Sequence, residues 1–419
     1  MEQAKLLQSA KGNFVAYLLV AVAVCRVHGA EDRFPRRVHP SLPVIAAESA
    51  ILTDAESGTI LWEKNADQRR PPASLTKVMT AILILEEAKL DDWVTVSPTV
   101  LQAWGSCIGL KPGERITIHD LLCAILLKSA NDACLAAAEH LEGSVASFVE
   151  HMNQKAHELG ATHTHFVNPH GLHDDTHLST ARDLALIARY ALNNSVFRQM
   201  VRTKNITIHW QGLQGRNSLR LINKNKLLWR YSESDGVKTG YTRQAGNCLI
   251  ASATSEGWQL LSVVMKSPNI WNDSQRLLRF GFTDFCRVPI VSTHEPIAKV
   301  HVSGGAPSEV ELIAQRSLAV VVPIERKQMV EHHTLLTPHR APVRKGERLG
   351  WIIAENHGHE LARVPLVASR SVGRAWVHHL ISSITLGGGI SFAIWLLCNA
   401  HRKAAKSSRR RRRRIPTWR

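Results

Sequence analysis

The pattern of hydrophobic and polar positions predicts a mixed α and β region between residues 31 and 286. Two short apolar runs joined by a turn, at residues 50–53 and 59–62, predict a β-hairpin. Apolar residues on most faces then follow Pro71 and Pro72 and predict a long helix through the middle of the domain. Further helices are predicted at residues 120–127, 133–141, 147–159 and 180–192, and further strands at 237–241, 247–253 and 259–265.

The pattern changes after Cys286. Short β-like runs, separated by Gly and Pro, replace the helical periodicity, at residues 298–302, 318–322, 349–354 and 362–367. This shift predicts a second, all-β domain at 287–370, followed by a linker at 371–379.

The amino-terminal segment has the layout of a secretory signal. Lys5 and Lys11 precede an uncharged apolar stretch at 14–25, and the small residues Gly29 and Ala30 follow. We therefore predict a signal peptide at 1–30 and export of the chain. The sequence leaves the cleavage point open, and an uncleaved anchor is the alternative.

The carboxyl-terminal segment predicts a membrane anchor. Residues 380–398 carry no formal charge and would span about 28 Å as a helix, which is enough for a bilayer core. The basic tail at 399–419 includes six consecutive arginines, Arg409 to Arg414, and such residues hold the cytoplasmic side. We therefore predict a cell-membrane protein with the body of the chain on the periplasmic or extracellular side. A helix lying in the membrane interface is the competing interpretation.

The net charge belongs mainly to this tail. The chain has 419 residues with 52 Lys plus Arg against 35 Asp plus Glu, a formal charge of +17. Ten of the basic residues lie between Arg402 and Arg419, so the remaining chain has 42 basic against 35 acidic residues and carries only +7. A nucleic-acid partner is not expected, because an exported body does not meet chromosome or messenger.

Five cysteines lie in the body, at positions 107, 123, 134, 248 and 286. Their number is odd and no close pair has metal-ligand spacing, so at most two disulfides could form and a zinc ribbon is not indicated. Small buried residues are the favoured interpretation.

Ser74 and Lys77 form the first chemical motif. Residues three apart share one face of a helix, so the amine of Lys77 can reach the hydroxyl of Ser74 and take its proton. Lys77 can act as a base only when it is neutral. Burial and a second nearby cation would lower its pKa towards that state.

Two further motifs follow in order. Ser129 and Asn131 fall in a break between two predicted helices, where a second hydroxyl and an amide can point into a cleft. Lys238, Thr239 and Gly240 lie on a predicted strand, where the cation and hydroxyl can bind a carboxylate and Gly allows close backbone approach. The separations are 55 residues from Ser74 to Ser129 and 109 from there to Lys238.

This ordered set resembles the penicillin-recognising serine enzymes. The flanking sequence, from about residue 49 to 367, resembles the low-molecular-weight D-alanyl-D-alanine carboxypeptidases of the penicillin-binding protein 5 type. The segments that carry the resemblance are residues 72–77, 129–133, 168–172, 179–183, 235–242 and 341–346. It implies an α+β fold, with a serine transpeptidase-like domain of antiparallel sheet and helical cluster followed by a small β-sandwich-like domain.

The resemblance also implies the roles of the site residues. Ser74 is the acylated nucleophile, Lys77 its base, and Ser129 the proton relay. The substrate-binding residues are Asn131, Lys238, Thr239, Gly240 and Tyr241, with an oxyanion hole from the backbone N–H groups of Ser74 and Tyr241. The implied reaction removes the terminal D-alanine from peptidoglycan stem peptides, with penicillins as acylating inhibitors, and it needs no metal or cofactor.

One position departs from the family pattern. Gln259 stands where our alignment expects an Arg that assists carboxylate binding, so substrate affinity or preference could differ.

Three other functions stay open at this point. A class A β-lactamase would need a deacylating Glu in a Glu-x-x-Leu-Asn pattern, which is absent after Ser129. A zinc peptidase is suggested by five histidines within 15 residues, at positions 163, 165, 170, 173 and 177, although His-Glu-x-x-His is absent and a surface loop is favoured. A non-catalytic wall-binding protein is the third alternative.

Overall fold

The computed structural model describes residues 42–375 and Leu397. The predicted signal peptide at 1–30 and the basic tail lie outside the described residues, as does the predicted anchor at 380–398 apart from Leu397. Within the part of the chain that is described, no helix combines the length and apolar character needed to cross a bilayer.

Helices and two sheets make up the first domain. Its strands are β1 (Ser49–Asp54), β2 (Ile60–Lys64), β3 (Trp93–Thr95), β4 (Arg115–Thr117), β5 (Asn205–Gly212), β6 (Gly215–Ile222), β7 (Ser234–Thr242), β8 (Gly246–Ser255) and β9 (Trp258–Met265). Its helices are α1 (Lys77–Glu87), α2 (Ile118–Cys123), α3 (Asn131–Glu142), α4 (Val145–Glu158), α5 (Ala181–Leu192), α6 (Ser195–Arg202), α7 (Leu227–Arg230) and α8 (Ile270–Asp284).

The main sheet is antiparallel, in the order β2-β1-β9-β8-β7, and is buried on both faces. Alternate residues of one strand reach different cores: Ile51 packs with the helical cluster that contains α1, whereas Ala50 and Leu52 pack with α8 on the opposite face. Central strands of this kind read as continuous apolar runs, because each face needs its own hydrophobic residues. A smaller antiparallel sheet has the order β3-β4-β5-β6.

The predicted helix boundaries rest on identifiable local signals. Thr180 caps α5, since its hydroxyl accepts a hydrogen bond from the backbone N–H of Asp183. Ser144 caps α4 in the same way. Two predicted helices differ in detail. The helix after Pro72 begins with a 3₁₀ turn, Ala73–Thr76, before α1, and the helix at 120–127 is α2 continued by a π-helical segment, Ala124–Lys128.

The second domain is built of strands. They are β10 (Phe285–Val291), β11 (Pro296–Ser303), β12 (Gly305–Ala306), β13 (Glu309–Ala314), β14 (Leu318–Pro323), β15 (Val330–Leu336), β16 (His339–Arg340), β17 (Arg348–Asn356), β18 (His359–Ala368) and β19 (Gly373–Arg374). A six-stranded sheet has the order β15-β17-β18-β13-β11-β16, and β10 pairs with β14. One apolar core lies between them, with residues such as Val302, Leu312 and Ile352.

The last strand corrects the predicted linker. β19 pairs with β12, and Val343 forms a bridge with Val372. Residues 371–374 therefore belong to the β domain rather than to a linker, because their backbone groups are used in pairing.

All five body cysteines are free thiols in the described structure. Cys123, Cys134 and Cys248 are buried, while Cys107 and Cys286 are partly exposed. The prediction of small buried residues therefore holds for three of the five.

Candidate active site

The first motif places its two side chains in contact. Ser74 lies in the 3₁₀ turn and Lys77 is the first residue of α1, so the chain enters the helix between them. The Nζ of Lys77 is 3.0 Å from the Oγ of Ser74. Ala73, just before the serine, has a positive φ of 48°, a conformation that costs a non-glycine residue of the order of 1–3 kcal/mol. The backbone thus presents Ser74 from a strained turn.

Lys77 is fully buried in a polar cage. Its Nζ also donates to the Oδ1 of Asn131 at 2.8 Å and to the backbone oxygen of His170 at 2.5 Å. Burial lowers the pKa of Lys77 to about 8, and the positive charge of Lys224 acts in the same direction. Burial and a second nearby cation, the two causes expected for a basic lysine, are both present, although no sequence pattern indicated Lys224.

The second motif sits where two helical segments meet. The π-helical segment ends at Ser129, which has a left-handed φ of 65°, and α3 begins at Asn131. Such π segments are frequent at functional sites. Asn131 joins two walls of the site: its Oδ1 accepts from Lys77, and its Nδ2 donates to the backbone oxygen of Trp104 at 2.6 Å.

Asp132 fixes the wall that carries Trp104. Its buried carboxylate accepts hydrogen bonds from three successive backbone N–H groups, those of Ile108, Gly109 and Leu110. This carboxylate ties the loop to the first turn of α3. Asp132 belongs to the motif at residues 129–133, but no sequence pattern indicated this positioning role.

The third motif lies on β7, directly against the serine turn. A Cβ on Gly240 would lie 3.1 Å from the backbone nitrogen of Ser74 and 3.1 Å from the backbone oxygen of Pro72. A side chain at this position would force these backbone atoms to move by a few tenths of an ångström, so glycine favours the close approach of the strand. The prediction of close backbone approach at Gly240 is therefore confirmed. Tyr241, the next residue, is 66% exposed.

Lys238 is buried beside the first motif. Its Nζ donates to the backbone oxygen of Thr239 at 2.9 Å. Burial, followed by the positive charges of Lys77 and Lys224, holds the pKa of Lys238 well below its ordinary value. A carboxylate that entered this region would offset that repulsion and favour the charged lysine.

One cleft joins the three motifs. It has a volume of about 800 Å³, which exceeds what a dipeptide fills. The motif residues that line it are Ser74, Ser129, Asn131, Thr239, Gly240 and Tyr241, with Lys224 and Arg243 as further cations. Three segments that are far apart in sequence therefore converge on one site, while Lys77 and Lys238 lie just beneath its surface.

The histidine-rich segment supports the serine turn. His177 uses both ring nitrogens, one with the Oγ1 of Thr76 at 2.8 Å and one with the backbone N–H of Val167 at 3.0 Å. Burial lowers the pKa of His177 to about 4 and that of His170 to about 3, so both rings are neutral. Gly171 lies directly against the serine turn, and an added Cβ would be 1.9 Å from the backbone oxygen of Ala73.

Gln259 lies on β9 before Ser262, where the alignment has it, but away from the cleft. It lies opposite Thr254, at the end of its strand distant from Lys238, and its Nε2 donates to the carboxylate of Asp235 at 2.9 Å. It is not among the side chains that line the cleft. The expectation that this position contacts the substrate carboxylate is wrong, since a register of β9 places it elsewhere.

The arrangement has the parts of a serine acyl-transfer site. A hydroxyl is held beside a buried amine with a lowered pKa, and a second serine lines the same cleft. The backbone of β7 lies close to the nucleophile at Gly240. Such sites use the hydroxyl as nucleophile and the neutral amine as base.

Comparison with known proteins agrees with this class. Residues 36–269 match the family described as D-alanyl-D-alanine carboxypeptidase, and residues 285–374 match the penicillin-binding protein 5 C-terminal domain. The chain therefore belongs to the D-alanyl-D-alanine carboxypeptidase family, and the predicted family and α+β fold class are confirmed.

Individual relatives cover most of the chain. It is 36% identical over 360 residues to the D-alanyl-D-alanine carboxypeptidase DacC of Escherichia coli (strain K12), with 80% of this chain and 88% of the relative covered. Identity to DacF of Bacillus subtilis (strain 168) is 32% over 346 residues, covering 78% and 86%. The crystal structure of penicillin binding protein 5 from Haemophilus influenzae aligns with a TM-score of 0.70 and 31% identity, covering 80% and 99%.

Proposed function

We propose that this chain is an exported, membrane-attached serine D-Ala-D-Ala carboxypeptidase that trims peptidoglycan stem peptides through an acyl-enzyme on Ser74. The observation that carries the proposal is the buried amine of Lys77 at 3.0 Å from the Oγ of Ser74, with a pKa lowered to about 8. An amine with that pKa has a substantial neutral fraction near neutral pH and can accept the serine proton.

Acylation begins when Lys77 takes the proton of Ser74. The Oγ attacks the carbonyl carbon of the penultimate residue, and the negative oxygen that forms is held by the backbone N–H groups of Ser74 and Tyr241. The approach of β7 at Gly240 supports this assignment, because it brings the backbone of residues 240–241 beside Ser74. Two such donors stabilise the transition state by several kcal/mol.

The leaving group is D-alanine. Ser129 lines the cleft and relays a proton to the departing amine. Water then hydrolyses the acyl-enzyme, with Lys77 again as the base. In this scheme the proton that leaves Ser74 ends on the amine of D-alanine.

Substrate binding uses the remaining motif residues. Lys238 and Thr239 receive the terminal carboxylate, and its negative charge favours the charged form of Lys238. The Nδ2 of Asn131 has one hydrogen engaged by Trp104, which leaves the other for a peptide carbonyl. Penicillins, which also carry a carboxylate beside a reactive carbonyl, acylate Ser74 in the same cleft.

The proposed location in the cell rests on the two terminal segments. We place the catalytic body on the periplasmic or extracellular side of the cell membrane, with residues 1–30 as the export signal and 380–398 as the anchor. Removal of residues 376–419 is expected to release the protein from washed membranes while penicillin acylation persists. If the truncated chain stays with the membranes, the anchor is elsewhere.

The decisive experiment measures D-alanine release from a peptide that ends in D-Ala-D-Ala. Wild type is expected to release it, and Ser74→Ala to release none above background. Ser303→Ala, at an exposed position of β11, is the matched control and should behave as wild type. Fluorescent penicillin should label the wild type and the control covalently, with slow loss of label. Equal release by wild type and Ser74→Ala contradicts the proposal, and rapid penicillin hydrolysis favours the β-lactamase alternative.

A further inference from the structure

A second nucleophile with acid–base partners lies outside the cleft, on α2. The Sγ of Cys123 is 3.9 Å from the Nε2 of His119, one helical turn earlier. The other ring nitrogen of His119, Nδ1, donates to the Oδ1 of Asp120 at 2.9 Å. Thiol, imidazole and carboxylate are therefore in the linear order that activated cysteines use.

The carboxylate of this group is held rigidly. Its second oxygen, Oδ2 of Asp120, accepts the backbone N–H of His209 on β5 at 3.0 Å. The hydrogen bond to Asp120, with a smaller contribution from Cys123, raises the pKa of His119 to about 10. His119 is thus an imidazolium whose Nε2–H faces the sulfur of Cys123.

Cys123 borders a pocket of its own. Its volume is about 130 Å³, and it is lined by His119, by the polar side chains of Gln199 and Thr203, and by five apolar side chains: Leu90, Leu127, Val196, Met200 and Ile206. Only 2% of Cys123 is exposed, so a reagent reaches the sulfur by entering this pocket. A cavity of about 150 Å³ can hold benzene, so a small alkylthio group fits here.

The same pocket touches the segment that carries Ser129. Cys123 is the last residue of α2, and the π-helical segment that follows runs directly to Ser129. Leu127, two residues before Ser129, lines the pocket, and so do residues of α6 on its other side. A group added to Cys123 must therefore share space with the backbone segment that sets the position of Ser129.

We propose that Cys123 is an activated thiol that forms mixed disulfides with small disulfides and thiosulfonates, and that the added group slows the reaction at Ser74 by displacing Ser129. The second half rests on the proposed function; the first half does not. The structure makes this cysteine distinct from Cys134 and Cys248, which are fully buried without a histidine partner in the described residues.

The chemical step is a thiol–disulfide exchange. The thiolate of Cys123 attacks one sulfur of a disulfide RS–SR, so that a new S–S bond forms while the original S–S bond breaks. The departing thiolate takes the proton of His119 and leaves as RSH. The sulfur of Cys123 is oxidised and the departing sulfur is reduced, so that no further oxidant is required.

The first test maps the modification. Native protein is treated briefly with methyl methanethiosulfonate, and the methylthiolated peptides are quantified by mass spectrometry. We expect Cys123 to react at least about tenfold faster than Cys134 and Cys248, and His119→Gln to remove that advantage while urea unfolding stays unchanged. Equal rates at the three buried cysteines, or an unaltered rate in His119→Gln, would overturn the proposal.

The second test measures the consequence. Methylthiolated wild type is expected to show a several-fold lower rate of penicillin acylation, which dithiothreitol restores, whereas Cys123→Ala should keep its rate under the same treatment. Full acylation by protein whose Cys123 is modified, or equal inhibition of Cys123→Ala, contradicts the regulatory half. If untreated protein releases no D-alanine, the proposed function fails and the labelling result still decides the first half.

Discussion

The two domains differ in what they bury. The first encloses charged and polar groups beneath its cleft, among them Lys77, Lys238 and Asp132. In the β domain, Asn356 is the single polar residue that is buried among those the structure describes. Burying a charge costs free energy unless the group is paired or neutralised. The first domain therefore loses stability by keeping groups that its chemistry needs. The β domain has no such groups beneath a cleft and can have an almost entirely apolar core. Substitutions in each domain and a change of pH can test this difference.

The largest effect is expected at the buried amine. Lys77→Arg replaces a base that can be neutral with a guanidinium that cannot. Penicillin acylation, measured by stopped-flow fluorescence, should fall by about 10²–10⁴-fold. Lys89→Arg, an exposed lysine just beyond the same helix, is the control and should react normally. Acylation by Lys77→Arg within a few-fold of wild type would exclude Lys77 as the base.

A core deletion in the β domain should change stability without changing chemistry. Ile352→Ala removes a side chain that is 1% exposed and should cost about 2–5 kcal/mol in the free energy of unfolding. Leu83→Ala, at 0% exposure on α1, should cost a similar amount and also slow acylation, because α1 carries Lys77. Urea denaturation and acylation of the folded fraction separate the two effects. Slowed acylation in Ile352→Ala would show that the domains are coupled.

Two glycines with nearly the same φ separate the cost of backbone strain from the cost of steric crowding. Gly171 and Gly109 have φ of +82° and +84°, but an added Cβ meets Ala73 only at Gly171. Gly109→Ala should cost about 1–2 kcal/mol from the left-handed backbone alone. Gly171→Ala should cost at least twice as much and should slow acylation, because the serine turn must move. Equal costs in urea unfolding would mean that the turn is adaptable.

The last prediction concerns the dependence of acylation on pH. With the pKa of Lys77 lowered to about 8, the neutral amine increases as pH rises, so acylation should increase about tenfold per pH unit below pH 8 and level off above it. The second-order rate constant for penicillin acylation, followed from about pH 6 to pH 9.5, measures this. The same profile in Ser303→Ala is the control. A rate that falls as pH rises through 8 would contradict a neutral-lysine base.

Residues close together in sequence made parts of the site predictable. Ser74 and Lys77 are three residues apart at a helix start, so their contact follows from helix geometry alone. Gly240 on a predicted strand indicated close backbone approach. Ser129 between two predicted helices indicated a turned chain, although the π-helical segment before it has no clear pattern of its own.

Other parts required the folded chain. The carbonyl of His170 accepts from Lys77 across 93 residues, and Asp132 binds backbone groups more than 20 residues away. Backbone acceptors have no residue type to recognise, so no pattern identifies them. The position of Gln259 was misjudged for a related reason: one strand register decides whether a side chain reaches the cleft.

The sequence by itself determined the family, the α+β class and the identity of the three motifs, because the spacing of the motifs and their flanking residues can be read directly from the sequence. Only the tertiary structure decided the state of Lys77. Its pKa depends on burial and on the charge of Lys224, 147 positions away along the chain. The electrostatic energy of a lysine is set by its distances to other groups and to water, and those distances exist only once the chain has folded.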